Sequence, residues 1–272
     1  MPSPTQITPV QLNRLIGTPD CPVIIDVCIE PDFNEDPRLI PTARRHPFSQ
    51  ILELANELDG KRVVIVCQKG KKLSAGASAL LRSEGIAAES LEGGNFAWRD
   101  AGLPLVPFDK IPPLTSEGHT LWVTRHRPKV DRIACPWLIR RFVDPGARFL
   151  FVPPTEVLEV AEKFGATPFD VEGVHWSHRG ENGEFCTFDT MIDEWALRSK
   201  ALDRLATLVR GADTDRHDLA PEAAGLLAAS LGLSRMYRDD LAQLEAGMGI
   251  YDAFYRWARD AFEESHDWPV TK

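Results

Sequence analysis

Val63-Val64-Ile65-Val66-Cys67-Gln68-Lys69-Gly70-Lys71-Lys72 passes from an apolar, β-branched run into a basic turn within ten residues. The apolar run is short and rich in valine and isoleucine, which predicts a strand buried on both faces. Ser74-Ala75-Gly76-Ala77-Ser78-Ala79-Leu80-Leu81-Arg82 follows and reads as a helix over 74–83, ended by Gly85. Cys67 therefore stands at the end of a strand, in a turn that opens a helix. Backbone N–H groups of the turn, the positive end of the helix and three lysines are groups that favour a thiolate over a thiol. Cys67 is the first candidate nucleophile of the chain.

Working outward, strands and helices alternate. Helices are expected over 9–15, 51–58 and 95–101, and strands over 23–27 and 88–91, with a loop from Cys28 to about Pro47. This order predicts an α/β domain with a parallel sheet flanked by helices. Ligands of such sheets bind at the carboxyl ends of the strands, where Cys67 stands. Four prolines between Pro104 and Pro113 predict an extended linker. The expected division is 1–107, a linker over 108–118, and a second domain over 119–272. That second domain reads as α+β and mostly helical. Strands are expected over 120–124, 148–152 and 184–187, and helices over 130–142 (interrupted by Pro136), 156–164, 190–195, 201–212, 221–231 and 239–262.

Composition narrows the function classes. The 272 residues are 43% hydrophobic and 26% charged, ample for packed cores. A net charge of −9 makes nucleic acid an unlikely partner. No apolar run approaches the roughly 18 residues of a membrane span, and Met1 to Gln6 carries no signal-peptide pattern. A cytoplasmic location is expected. Five scattered cysteines without a CxxC pair fit a reducing compartment rather than a disulfide framework or a zinc ribbon.

Three elements support a family resemblance over about 20–107. They are Ile25-Asp26-Val27 on the first buried strand, the loop from Val66 to Lys72, and Leu91-Glu92-Gly93-Gly94-Asn95-Phe96-Ala97-Trp98 followed by Ala101-Gly102-Leu103-Pro104. Together they resemble a single rhodanese (sulfurtransferase) domain. The resemblance implies that Cys67 takes a sulfur atom from thiosulfate or a persulfide donor and passes it to a thiol or cyanide-like acceptor, with no cofactor. Gln68, Lys69, Gly70, Lys71, Lys72 and Leu73 would bind the donor, their N–H groups forming an oxyanion-hole-like cradle. Related phosphatases need an arginine where Leu73 stands. Lys72 replaces a common arginine, and Cys28 stands where an arginine often follows Asp-Val. Asp26 reads as a structural support and Cys28 as a buried filler.

The second half carries Trp122-Val123-Thr124-Arg125-His126-Arg127-Pro128-Lys129-Val130-Asp131-Arg132-Ile133-Ala134-Cys135-Pro136-Trp137-Leu138-Ile139, then His175-Trp176-Ser177-His178, Cys186-Thr187-Phe188-Asp189 and Arg210-Gly211-Ala212-Asp213. These segments resemble the chromate-resistance domain over about 120–260. Two readings stay open. In one, His126, Asp131, Cys135, His178, Cys186 and Asp213 converge on a metal ion, or Arg127, Arg132 and Arg210 receive chromate or another oxyanion. In the other, the arginines pair with acids, the cysteines are core, and the histidines lie on the surface. His46, His119, His217 and His266 read as solvated. The expectation for the whole is a sulfurtransferase coupled to a chromate-resistance-type domain. The alternative is a sensor of chromate, oxidant or metal.

Overall fold

The computed structural model describes residues 5–181 and 184–264; Met1 to Pro4 and His266 lie outside them. Its first half runs β1 (Gln6–Ile7), α1 (Pro9–Leu15), β2 (Val23–Asp26), α2 (Glu30–Asn34), β3 (Arg38–Leu39), β4 (Arg44–Arg45), α3 (Ala55–Leu58), β5 (Arg62–Val66), α4 (Lys72–Ser83), β6 (Ala87–Leu91), α5 (Gly94–Asp100) and β7 (Val106–Pro107). Thr8 caps α1: its Oγ1 accepts the Gln11 N–H, and the Gln11 side chain accepts the Thr8 N–H. A 3₁₀ segment, Phe48–Leu54, replaces the first half of the helix expected over 51–58, and α3 forms the second.

Five strands form one parallel sheet in the order β1-β6-β5-β2-β4. The central strand β5 buries Val63, Val64, Ile65 and Val66 almost completely, as its unbroken apolar run requires. β7 pairs antiparallel with β3, so part of the proline-rich stretch expected as linker is tied to the first half. A 3₁₀ turn, Phe108–Lys110, follows it.

The second half runs β8 (Leu121–Arg125), α6 (Asp131–Phe142), β9 (Arg148–Val152), α7 (Val157–Phe164), β10 (Thr167–Pro168), α8 (Thr187–Glu194), α9 (Lys200–Asp213), α10 (Ala223–Met236) and α11 (Asp240–Arg256), with a π turn over Trp257–Ala261. β10, β8 and β9 make a three-stranded parallel sheet, with β8 in the middle.

Three expectations change. Pro136 lies inside α6 without ending it. A proline costs an interior helix roughly 3 kcal/mol, and here Ile133, Ala134, Trp137, Leu138 and Ile139 are all buried around it, a packing gain that offsets the loss. The strand expected over 184–187 is a single bridge, Arg179 with Phe185. Cys186 is instead the N-cap of α8, and Asp189 accepts the Cys186 N–H as a capping box does. The third strand is β10, too short to show periodicity.

One apolar core runs from the five-stranded sheet into the helices of the second half. At their contact, a Cβ on Gly17 would lie 2.5 Å from Phe142 and 2.7 Å from Tyr255. The Thr42 N–H donates to the Phe142 carbonyl at 3.0 Å. Among the described residues, no helix is long and apolar enough to cross a membrane.

Candidate functional site

β5 delivers Cys67 to the mouth of α4, as the strand–turn–helix reading requires. The residue is 4% exposed, and its Sγ lies 3.1 Å from Ser74 Oγ. Ser74 in turn donates to the Lys71 carbonyl at 3.2 Å. Gly70 adopts φ +61° to turn the chain and donates its N–H to the Cys67 carbonyl at 3.3 Å. The Gly93-Gly94 turn is pressed against this loop. Asn95 and Phe96 donate backbone N–H groups to the Cys67 and Gln68 carbonyls at 3.1 and 3.0 Å. A Cβ on Gly94 would lie 2.0 Å from the Cys67 carbonyl oxygen. The two glycine-containing segments quoted from the sequence thus clamp one another.

Lys69, Lys71 and Lys72 are exposed around the loop, and Leu73 packs against the core. The Gln68 side chain is buried, and its amide donates to Glu35 at 2.8 Å. Asp26 accepts the Cys28 N–H at 2.7 Å and the Asn95 amide at 2.9 Å, so it braces the floor of the loop. Burial, with Asp26 adding to it, pushes the Cys28 thiol far up and keeps it neutral. A cleft of about 270 Å³ opens beside Cys28, between Ile29, Arg45, His46 and Phe48.

In the second half, four residues from separate segments meet. Asp131 opens α6, Asp170 follows β10, His178 lies in the loop before α8, and Asp213 ends α9. His178 Nε2 lies 3.2 Å from Asp213 Oδ2, 3.5 Å from Asp170 Oδ1 and 3.6 Å from Asp131 Oδ2. Asp131 is fully buried, and both of its oxygens accept N–H groups from the start of α8, Thr187 at 2.6 Å and Phe188 at 3.1 Å. Asp170 accepts from Arg125 at 2.9 Å and from the Thr187 hydroxyl at 3.1 Å, and Arg132 Nε lies 3.3 Å away. Val130 and Asp170 adopt φ of +37° and +52°. Such conformations are costly for residues other than glycine. Ser230, which accepts the Val130 N–H, and Tyr251, which donates to its carbonyl, hold Val130 in place.

The electrostatics follow from this crowding. Hydrogen bonds to Asp170 and Asp213 raise the pKa of His178 to about 11, so it is an imidazolium at neutral pH. Burial, then Asp213 and Asp170, push the Asp131 carboxyl up. Burial opposes the charge on Asp170 too, but His178 and Arg125 outweigh it and hold its pKa down. Burial and then Asp131 push the thiols of Cys135 and Cys186 far up. They are neutral, 3.7 Å from Asp131 and 3.3 Å from Asp189.

Of the residues singled out in this half, the structure brings together Asp131, His178 and Asp213, with Arg132 alongside. Cys135 and Cys186 pack behind Asp131 as core thiols. His126 is exposed; its backbone N–H joins Val152 and its carbonyl accepts from Arg132. The arginines are engaged by protein groups: Arg127 by the Ser234 and Tyr237 carbonyls, Arg132 by Asp170, and Arg210 by Asp189. His46, His119 and His217 are partly exposed. Asp170, Arg125 and Ser74 were missed. A hydroxyl seven residues past a cysteine is a faint signal, and Asp170 joins the cluster only through the β10–β8 pairing.

Comparison with known proteins matches this division of residues. The profile of the family described as ChrB, C-terminal domain matches residues 122–258, half of the chain. That of the rhodanese-like domain matches 8–101. Protein ChrB of Cupriavidus metallidurans is 33% identical over 135 residues, 49% of this chain; the match spans 39% of that relative's length. A crystal structure of a rhodanese-related protein from Thermoplasma volcanium is 24% identical with a TM-score of 0.32, covering 37% of this chain and 96% of that one. One of a thiosulfate sulfurtransferase from Pseudomonas aeruginosa is 28% identical with a TM-score of 0.32, covering 38% of this chain and 19% of that one.

Proposed function

The chain belongs to the family defined by the ChrB C-terminal domain, with a rhodanese-like domain ahead of it, and from that premise we propose that it is a sulfurtransferase acting through a Cys67 persulfide, in the service of chromate tolerance. The observation that carries this reading is the Cys67 loop itself. A cysteine ends the central strand, stands at a helix N-terminus and is ringed by three exposed lysines.

In the reaction, Cys67 loses its proton to solvent and its sulfur attacks the outer sulfur of thiosulfate. An S–S bond to Cys67 forms, the S–S bond within thiosulfate breaks, and the electron pair leaves with sulfite. A thiolate or cyanide then attacks the terminal sulfur of the persulfide and returns Cys67. Lys69, Lys71 and Lys72 attract the divalent donor, and the start of α4 favours the negative charge that passes through the site. The Gly93-Gly94 clamp fixes the carbonyls of Cys67 and Gln68 and with them the loop that carries the nucleophile. Ser74 turns its hydroxyl toward Cys67 when the thiol proton is gone.

Steady-state thiocyanate formation from thiosulfate and cyanide tests this. The wild-type protein turns over and Cys67→Ser does not. Equal turnover by both proteins would overturn the reading.

A further inference from the structure

We propose that Asp131, Asp170, His178 and Asp213 form a binding site for one divalent first-row transition-metal ion, of the Mn²⁺ or Zn²⁺ class. The inference stands on the second half alone and is independent of the chemistry at Cys67.

The first support is spacing. A single Nε2 faces three carboxylate oxygens at 3.2, 3.5 and 3.6 Å. Ligands bonded about 2.1 Å from a shared ion lie roughly 3.0–3.4 Å apart. The nitrogen-to-oxygen contacts fall close to the edges of such a shell. Ligand atoms of Asp131, Asp170 and His178 all lie within 4.8 Å of one another, and Asp213 joins them through its 3.2 Å approach to His178 Nε2.

The second support is the scaffold behind the ligands. Metal-binding carboxylates are held by outer partners that fix their orientation. Asp131 is fixed by two backbone N–H groups of α8, and Asp170 by the Thr187 hydroxyl and Arg125. Thr187 serves both, with its N–H on Asp131 and its hydroxyl on Asp170. Each carboxylate retains lone pairs on the side facing His178.

The third support is access and ligand type. The side chains of His178 and Asp213 are 32% and 19% exposed, so the cluster opens to solvent on their side while Asp131 closes its floor. One imidazole and three carboxylates are a mixed nitrogen–oxygen set. It suits Mn²⁺, Fe²⁺ or Zn²⁺ better than the thiolate-preferring Cu⁺. The nearby thiols of Cys135 and Cys186 are neutral and turned to Asp131 and Asp189, which leaves them outside the ligand set. On binding, the ion takes the place of the proton on His178 Nε2, and that proton leaves to solvent.

The test uses the full chain, with Mn²⁺ followed by electron paramagnetic resonance and Zn²⁺ as competitor. His178→Gln and Asp213→Asn are the variants, because both side chains are partly exposed, and urea unfolding checks that each is folded. The expected result is saturable binding of one Mn²⁺, displaced by Zn²⁺ and showing a coupled imidazole nitrogen. Both variants weaken binding by at least about tenfold, and His178→Gln abolishes the nitrogen coupling. No saturable binding of either ion, binding unchanged in either variant, or no coupled nitrogen in the wild type would overturn the proposal.

Discussion

The two halves use the same device and reach different ends with it. In the first, β5 leads through a short turn into α4 and leaves Cys67 at the junction. In the second, β8 leads into α6 and leaves Asp131 at the junction. The Cys67 loop is local: the thiol, its hydroxyl neighbour Ser74 and the three lysines lie within eight residues, and the Gly93-Gly94 clamp, Asp26 and Glu35 support it from elsewhere. The Asp131 cluster is assembled from four distant segments, with the N-terminus of α8 fixing its buried member. Cys67, though buried, stands at a strand–helix junction beside three exposed lysines, where group transfer is proposed. Cysteines sealed in the core beside carboxylates, as Cys135 and Cys186 are, stay neutral and inert.

The largest expected effects separate the two regions. Cys67→Ser abolishes thiocyanate formation and leaves unfolding by urea nearly unchanged. Asp131→Ala does the reverse. It leaves the Thr187 and Phe188 N–H groups buried without an acceptor and lowers stability by roughly 2–4 kcal/mol, read from the urea midpoint, while sulfur transfer by the folded fraction persists. Equal losses of activity in the two variants would break the comparison.

Gly94→Ala sharpens it from the loop side. The added methyl group meets the Cys67 carbonyl and the Gly70 N–H at 2.0 and 2.3 Å, in a backbone at φ +62°. Stability falls by about 1–3 kcal/mol and turnover by more than that loss explains. Ser74→Ala has a smaller effect. It removes a hydroxyl 3.1 Å from Cys67 Sγ, so kcat drops several-fold at a stability cost of about 1 kcal/mol.

The smallest effect is a pH dependence. Arg179 and then Lys110 hold the Glu194 carboxyl down to about 2, from an ordinary value of 4.5. A depressed pKa stabilises the fold above the unfolded value and loses that contribution as pH falls through the folded one. Urea midpoints therefore fall between about pH 4.5 and 2. Glu194→Gln flattens that part of the profile and costs about 1 kcal/mol at neutral pH.

The same contrast explains what the sequence discloses. Val63 to Lys72 reveals strand, turn, nucleophile and helix together because all of them are contiguous. Gly93-Gly94 is legible through family resemblance, but its clamp on the Cys67 carbonyl is visible only in three dimensions. Nothing local shows that Glu35 receives the Gln68 side-chain amide. Asp131, His178 and Asp213 are readable as chemically able residues, and their meeting is not. Asp170 carries no spacing signal at all, being brought to Arg125 by a two-residue strand. Cys186-Thr187-Phe188-Asp189 held a capping signal that its β-like composition obscured.

The most direct measurement is peptide mass spectrometry across all five cysteines after thiosulfate treatment of the wild-type protein and Cys67→Ser. The account predicts one added sulfur atom, on the Cys67 peptide alone, removable by cyanide and absent from the variant, with Cys135 and Cys186 unmodified. Sulfur on Cys135 or Cys186, or none on Cys67, would contradict it.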